Sequence, residues 1–367
     1  MKRLIERLQP LKTAVKSVFF ISIAVLVVVE LIRLKRTITL ESLESALSGL
    51  SIWHLALMVV IGLVAVLPML FYDLILNKEL ETDYSKSYIL ETSWAVNTIN
   101  NLSGFAGLVD VGLRYSFYSE DGHEKSGVKA LSRLLPYFMS GLSLLSGLVF
   151  ATFWFFPLSP DLRKYWLLLL GIFLYLPFIF FVSSREKLPY FGQVPLKTRL
   201  SLILVSTAEW GTALVSFLSV AYLMGLHVPL YNLIPLYFLA VIIGIFSMIP
   251  GGIGSFDLIV ISGLTSMGVS NALAVSLLLL FRLTYYIIPF LLGVVFFFKH
   301  MGGHINDKYF NIPSRVFGGS FHLILVYLLR FLGIFLILSA LIPESLANVY
   351  FINRFDPIQE QLIWQFP

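Results

Sequence analysis

Seven stretches of this chain are apolar over a length that crosses a lipid bilayer, near residues 15–33, 52–76, 131–156, 165–183, 200–224, 271–298 and 318–342. A hydrocarbon core about 30 Å thick takes about 20 apolar residues of helix, so this pattern predicts an all-α polytopic membrane protein. The residue balance agrees, with 58% of the 367 residues hydrophobic and 13% charged, which excludes ordinary soluble domains. Cysteine is absent, so neither a disulfide framework nor a thiolate metal site is available. The opening "MKRLIERLQPLKTAVKSVFF" has the basic start of a signal region. Its apolar run, however, is as long as a full span, lacks a small-residue cleavage site and leads into basic "RLKR", so it reads as a retained first helix.

Two further segments, about 87–118 and 232–268, are long enough to enter the membrane but are broken midway by Gly-rich polar sequence, as in "SMIPGGIGSFDLIV" at 247–260. Interrupted backbone at membrane depth survives only where protein or a wet cavity satisfies its polar groups. Both segments therefore read as re-entrant hairpins that return to their own side. On that reading 18 of the 26 Lys and Arg residues fall on the side of the N-terminus and 6 on the other, which predicts a cytoplasmic N-terminus. Residues 1–342 then form one membrane domain and 343–367 an extracytoplasmic tail. Counting 232–268 as two spans leaves this orientation unchanged, whereas counting it as one puts the basic 299–315 loop outside.

The two broken segments share a pattern. "GFAGLVD" and "GGIGSFD" both read G-x-x-G-x-x-D, aligning Gly104, Gly107 and Asp110 with Gly251, Gly254 and Asp257. Downstream, "RLLPYF" (Arg133, Tyr137) matches "RLTYYI" (Arg282, Tyr286) at nearly the same offset. Upstream, each hairpin follows a helix carrying an acid, Asp73 in one and Glu209 in the other. The orientation above makes the repeats inverted, an organisation typical of alternating-access transporters that bind substrate where broken helices meet near the midplane. Gly104, Gly107, Gly251, Gly252 and Gly254 would let the backbone turn, and Pro250 would end the incoming half-helix. The N–H groups that follow form a local anion site, which an Asp can also cap.

Asp73, Asp110, Arg114, Glu209, Asp257 and Arg282 each cost at least about 2.5 kcal/mol if they face lipid at mid-membrane, so they are expected to face one another or a wet path. Asp110 and Arg114 are four apart and can pair on one helical face, which serves packing as readily as function. Asp257 can be a helix cap alone. Glu209 is mid-helix with no local cation and is the strongest functional candidate, while Asp73, near the inner end of its helix, could reach interfacial water. His300 and His304 in "KHMGGHINDK" read as an interfacial loop and not a metal face. There is no G-x-x-x-x-G-K-[ST] phosphate loop, and "SREKLPYFGQVPLKTR" reads as a basic inner loop that sets topology.

"STAEWGTALV", "SMIPGGIGSFDLIVISGL" with "LLLLFRLTYYIIPFLLG", and "NTINNLSGFAGLVDVGLRYSFY" resemble the flippase region of the bacterial MprF family, bifunctional phosphatidylglycerol lysyltransferases and flippases. The resemblance implies a flippase carrying lysyl- or alanyl-phosphatidylglycerol to the outer leaflet of the bacterial cytoplasmic membrane, which confers resistance to cationic antimicrobial peptides. It places the residues that matter for flipping on Asp73, Arg114, Glu209 and Asp257. Nothing in the chain resembles the family's aminoacyl-tRNA-dependent transferase domain, so this chain is expected not to be the enzyme. It is either an excised flippase module or a flippase-only version. The implied partners are the phospholipid and a synthase domain in cis or trans, with a homodimer admitted, no nucleic acid and no cofactor.

A lysyl headgroup carries ammonium groups beside a phosphate. Glu209, Asp257, Asp73 and Asp110 are expected to receive the former, with Arg114, Arg282 and the glycine-loop amides holding the latter. Three other readings fit the same features: a membrane scaffold for the synthase, a small-solute or ion transporter, and a carrier of another isoprenoid lipid or glycolipid.

Overall fold

The computed structural model describes residues 49–309 apart from 81, 104–107, 119–133, 154, 158–159, 164, 184–193, 248–251 and 253. The expected spans at 15–33 and 318–342 and the tail lie outside the described residues, as do Gly104, Gly107, Arg133, Pro250 and Gly251. The chain divides into two compact units, Met1–His304 and Ile305–Pro367, and every side chain discussed below belongs to the first.

Among the described residues all regular structure is helical. Helix α1 (Ile52–Leu80) is capped by Ser51, whose hydroxyl accepts the His54 N–H, and tightens at Leu67–Met69, where Pro68 interrupts the bonding. There follow α2 (Lys86–Ser103), α3 (Leu108–Tyr118), α4 (Leu135–Thr152), α5 (Trp166–Phe173), α6 (Tyr175–Val182), α7 (Leu196–Leu223), α8 (Leu230–Phe246), α9 (Ser255–Ser266) and α10 (Asn271–His300). Helices α1, α4, α7 and α10 are long and apolar enough to cross a membrane. The protein is a multi-pass membrane protein.

The stretch 165–183, expected as one span, is two eight-residue pieces joined at Leu174. Pro177 lacks the N–H that would bond back to Phe173, so the helix loses its ladder there. Ser143 of α4 repairs the gap: its hydroxyl donates to the carbonyls of Ile172 and Phe173 at 2.7 and 2.9 Å and accepts the Leu176 N–H at 2.9 Å. A neighbouring serine thus satisfies the backbone that proline frees, as a lipid environment requires.

The two interrupted segments are antiparallel helical hairpins. In the first, Tyr88 on α2 donates to the Phe117 carbonyl on α3, and Thr92 meets the Tyr118 hydroxyl. In the second, Ser247 meets Ser255 beside the turn, and the Tyr237 and Phe256 rings lie 6.2 Å apart. The returning arms α3 and α9, with 11 and 12 residues, rise about 17 and 18 Å, too little to cross a core about 30 Å thick.

The hairpins open toward opposite ends of the bundle. Helix α7 runs antiparallel to α1, since Thr198 bonds Glu79, Glu209 bonds Tyr72 and Thr212 bonds the Ala65 carbonyl. The first hairpin follows the C-terminal end of α1 and the second follows the C-terminal end of α7, so their mouths face opposite ways. The later part of α10 lies at the first mouth, where Glu91 of α2 pairs with Lys299 at 2.7 Å and with His300; helix continues to Tyr309, so the loop expected at His300 and His304 is helical instead.

Packing repeats the same inversion. The leading helix of each repeat crosses the trailing helix of the other, α1 over α10 and α7 over α4. At both crossings a glycine permits backbone contact: a Cβ on Gly62 would overlap the Thr284 carbonyl, and one on Gly141 would overlap Ser206 backbone. Where the Gly62 crossing forms, α10 loosens into a π-helical turn, Arg282–Ile287. Where the Gly141 crossing forms, α4 opens as a tight 3₁₀ turn, Leu135–Met139. Irregular turns of both kinds redirect side chains and free carbonyls for other partners.

Candidate functional site

Asp73, Asp110 and Arg114 are fully buried and meet in one cluster. Asp73 sits on α1 past the Pro68 turn and is gripped by Arg114 of α3 through two bonds, Nε to Oδ1 at 2.7 Å and Nη2 to Oδ2 at 2.9 Å. This is the bidentate fork that makes guanidinium the strongest partner for a carboxylate. Arg114 Nη2 also donates to Asn97 Oδ1 at 3.1 Å, and the Ser93 hydroxyl donates to Asp73. Ser93 and Asn97 are four apart on α2 and present one polar face to the pair. The third arginine nitrogen, Nη1, forms an ion pair with Asp110 Oδ1, one turn back on α3. The expectation that Asp73 reaches interfacial water is corrected here: its side chain has no exposure and is spent on Arg114, because the first hairpin covers it.

Asp110 Oδ1 and Arg114 Nη1 have only each other as partners, and Asp110 Oδ2 makes no hydrogen bond among the described residues. Asn100 Oδ1, seven residues beyond Ser93 and on the same face of α2, is likewise buried with no donor.

Glu209 joins from the second repeat. The Tyr72 hydroxyl on α1 donates to its Oε2 at 2.5 Å, and the Asp110 and Arg114 charges are near enough to act on it. Unlike the other three, Glu209 keeps partial exposure. Phe138 forms the wall, with Arg114 over its ring at 5.1 Å and the Tyr72 ring 4.1 Å away. The 3₁₀ turn frees the Phe138 carbonyl, which accepts from Ser206 at 2.7 Å and Trp210 at 3.3 Å and so ties α4 to α7 beside Glu209. Taken together, three carboxylates face one guanidinium.

Asp257 and Arg282 form a second, separate pair. Arg282 Nε and Nη2 both donate to Asp257 Oδ1, at 3.0 and 2.7 Å, while Asp257 Oδ2 accepts the Gly254 N–H at 2.9 Å. Asp257 is thus both the cap of α9 and the counter-ion of α10. Gly252 and Gly254 adopt φ of +61° and +94°, the left-handed region that a Cβ disfavours, and the turn into α9 depends on them. Between this pair and the cluster lie Tyr237, Tyr285 and Tyr286. Glu209 acts electrostatically on the first two, and Tyr285 lies near Asn101 at the end of α2. The π-helical turn of α10 thus offers Arg282 to the second hairpin and Tyr285 to the first.

The structure brings four of the six charged candidates together and pairs the other two. Both arginines, expected to hold phosphate, are already matched by carboxylates. Asp110 and Asp257 occupy equivalent repeat positions yet take arginines from different places, Asp110 from its own helix and Asp257 from the following span. Tyr72, Ser93, Asn97, Asn100 and Phe138 were not singled out from the sequence. Only the run "NTINN" and the adjacency of Tyr72 to Asp73 could have signalled them.

Residues 18–293 match the family model described as the lysylphosphatidylglycerol synthase TM region. The chain is 29% identical over 298 residues to a phosphatidylglycerol lysyltransferase of Bacillus subtilis (strain 168), covering 77% of this chain and 34% of that protein. It is 30% identical over 314 residues to a phosphatidylglycerol lysyltransferase of Staphylococcus aureus (strain MRSA252), covering 82% of this chain and 36% of that protein. The chain thus spans about a third of the length of these relatives. With three quarters of its residues inside the match, and with the buried cluster and both hairpins within it, the chain belongs to the lysylphosphatidylglycerol synthase TM region family.

Proposed function

We propose that this protein moves aminoacyl-phosphatidylglycerol, lysyl or alanyl, from the inner to the outer leaflet of the bacterial cytoplasmic membrane, its N-terminus on the cytoplasmic side. Outer-leaflet cationic lipid would then lower the surface's negative charge and weaken the binding of cationic antimicrobial peptides. The observation that carries this reading is the buried cluster of Asp73, Asp110, Arg114 and Glu209, set where the two oppositely opening repeats meet. Ionisable groups at membrane depth are costly and mark transport paths. A surplus of carboxylate over guanidinium suits the lysyl lipid in particular, whose headgroup carries two ammonium groups to one phosphate, where the alanyl headgroup carries one to one. The headgroup would pass between the repeats past Glu209 while its acyl tails stay in lipid. The lipid is made by a synthase domain in cis or trans.

The test is sidedness. In cells making the aminoacyl lipid, wild-type protein is expected to expose it to a membrane-impermeant amine reagent. Glu209→Ala and Asp257→Ala are expected to abolish that exposure and leave the total unchanged. Normal exposure in both variants would sink the site assignment, and a fall in total lipid with sidedness preserved would point to a scaffold for synthesis.

A further inference from the structure

The charge balance of the cluster carries a consequence for how transport is driven. Asp73 is matched by the fork of Arg114, whose remaining nitrogen is shared with Asp110. Glu209 has a neutral donor, Tyr72. With every carboxylate ionised, the site holds three negative charges and one positive, three of these four groups being fully buried.

Among the described residues the surroundings supply no further cation. Around the four charged groups stand Tyr72 from α1, Ser93 and Asn97 from α2, and Tyr118 from α3. Helix α8 contributes Tyr237 and α10 contributes Tyr285. Arg282 is taken up by Asp257. A net charge withdrawn from water costs far more than a neutral site, and a protein meets that cost by binding a counter-ion or a proton. Asp110 Oδ2 and Asn100 Oδ1 are both buried and make no hydrogen bond among the described residues. An alkylammonium offers three N–H donors and a full charge. A proton on a carboxylate offers one donor and the same charge.

We infer that the Asp73–Asp110–Arg114–Glu209 cluster is an exchange site at which protons and the ammonium-bearing headgroup replace one another, one proton crossing the membrane oppositely for each lysyl lipid carried. This rests on the lipid-transport reading above and adds its driving force. When the headgroup enters, its ammonium keeps all three protons, and a carboxyl O–H of Glu209 or Asp110 breaks, its proton passing to water on the side the site then faces. When the headgroup leaves on the other side, a proton from that side takes its place. A lysyl headgroup with two ammonium groups and one phosphate carries one net positive charge, so exchange for one proton leaves the charge of the site constant. Transport is then electroneutral and follows the pH gradient, not the membrane potential. Glu209, the partly exposed member, is where lipid and proton enter.

The experiment uses the full chain in unilamellar vesicles containing lysyl-phosphatidylglycerol, with a trapped pH dye, an impermeant amine reagent and protein-free vesicles as the blank. A gradient of one pH unit is expected to shift the steady-state leaflet ratio about tenfold, with lipid accumulating on the acidic side. Lipid movement is expected to change lumenal pH, and a potassium-valinomycin potential is expected to leave the ratio unmoved. Lipid movement with no response to the pH gradient would overturn the exchange and leave the transport reading standing. No protein-dependent lipid movement would overturn both. Asp110→Asn, which leaves the Asp73–Arg114 fork in place, is expected to flatten the tenfold response. A full response in that variant would remove Asp110 from the exchange.

Discussion

The hydroxyl of Tyr72 donates a 2.5 Å hydrogen bond to Glu209, joining the leading helices of the two repeats at the level of the buried Asp73–Arg114 pair. No other side-chain hydrogen bond described here places a carboxylate of the second repeat beside the acids of the first. Shape at this point is held by one phenolic oxygen, so a single-atom change examines it.

Tyr72→Phe keeps the ring against Phe138 and removes only the oxygen. A buried acceptor left with no donor costs about 1–3 kcal/mol, and more when it is charged. Outer-leaflet exposure of the aminoacyl lipid is expected to fall several-fold with total lipid unchanged, as read by amine labelling of intact cells beside whole-lipid extracts.

Arg114→Lys retains charge and discards the fork. A lysine cannot reach both oxygens of Asp73 together with Asn97 and Asp110, so at least one buried carboxylate is stranded. Breaking a buried pair costs about 3–5 kcal/mol, and a large part of that is expected here as a lower unfolding temperature in detergent, together with lost transport.

The two glycine crossings yield a packing test with an internal control. Gly62→Val and Gly141→Val each force a side chain into the facing helix backbone, and overpacking costs about 1–3 kcal/mol. A Cβ on Gly171 meets nothing within 4 Å, so Gly171→Ala is expected to be neutral in the same thermal unfolding measurement.

Ser143→Ala removes the hydroxyl that closes the break at Pro177, taking a donor from the carbonyls of Ile172 and Phe173 and the acceptor from the Leu176 N–H. The expected cost is about 1–3 kcal/mol. It would appear as faster hydrogen exchange in α5 and α6 with little change in α1 or α7, because the repair is local.

Much of the architecture is legible in the residues. Gly and Pro inside apolar runs signal the hairpins because such sequence cannot span as a regular helix, and Asp110 four residues before Arg114 signals a pair on one face. Other features leave no local trace. The main partner of Arg114 is Asp73, 41 residues earlier, and no spacing rule connects them. Asn97 and Tyr72 are uncharged, so hydropathy does not single them out as residues that would be costly in lipid. The stretch 165–183 looks like one span since proline in a membrane helix is tolerated when a neighbour repairs it, and the repairing Ser143 lies on another helix. Asp73 looks accessible from its place near a helix end, but only the folded hairpin reveals what covers it.

The central claim is that the aminoacyl headgroup enters the cluster between the repeats. The most direct measurement is a cryo-electron microscopy map of the full chain in nanodiscs containing lysyl-phosphatidylglycerol. Headgroup density is expected against Glu209 and Asp110, with the ammonium within hydrogen-bond distance of Asp110 Oδ2. A dry, closed cluster at saturating lipid, with headgroups confined to the periphery, would contradict it.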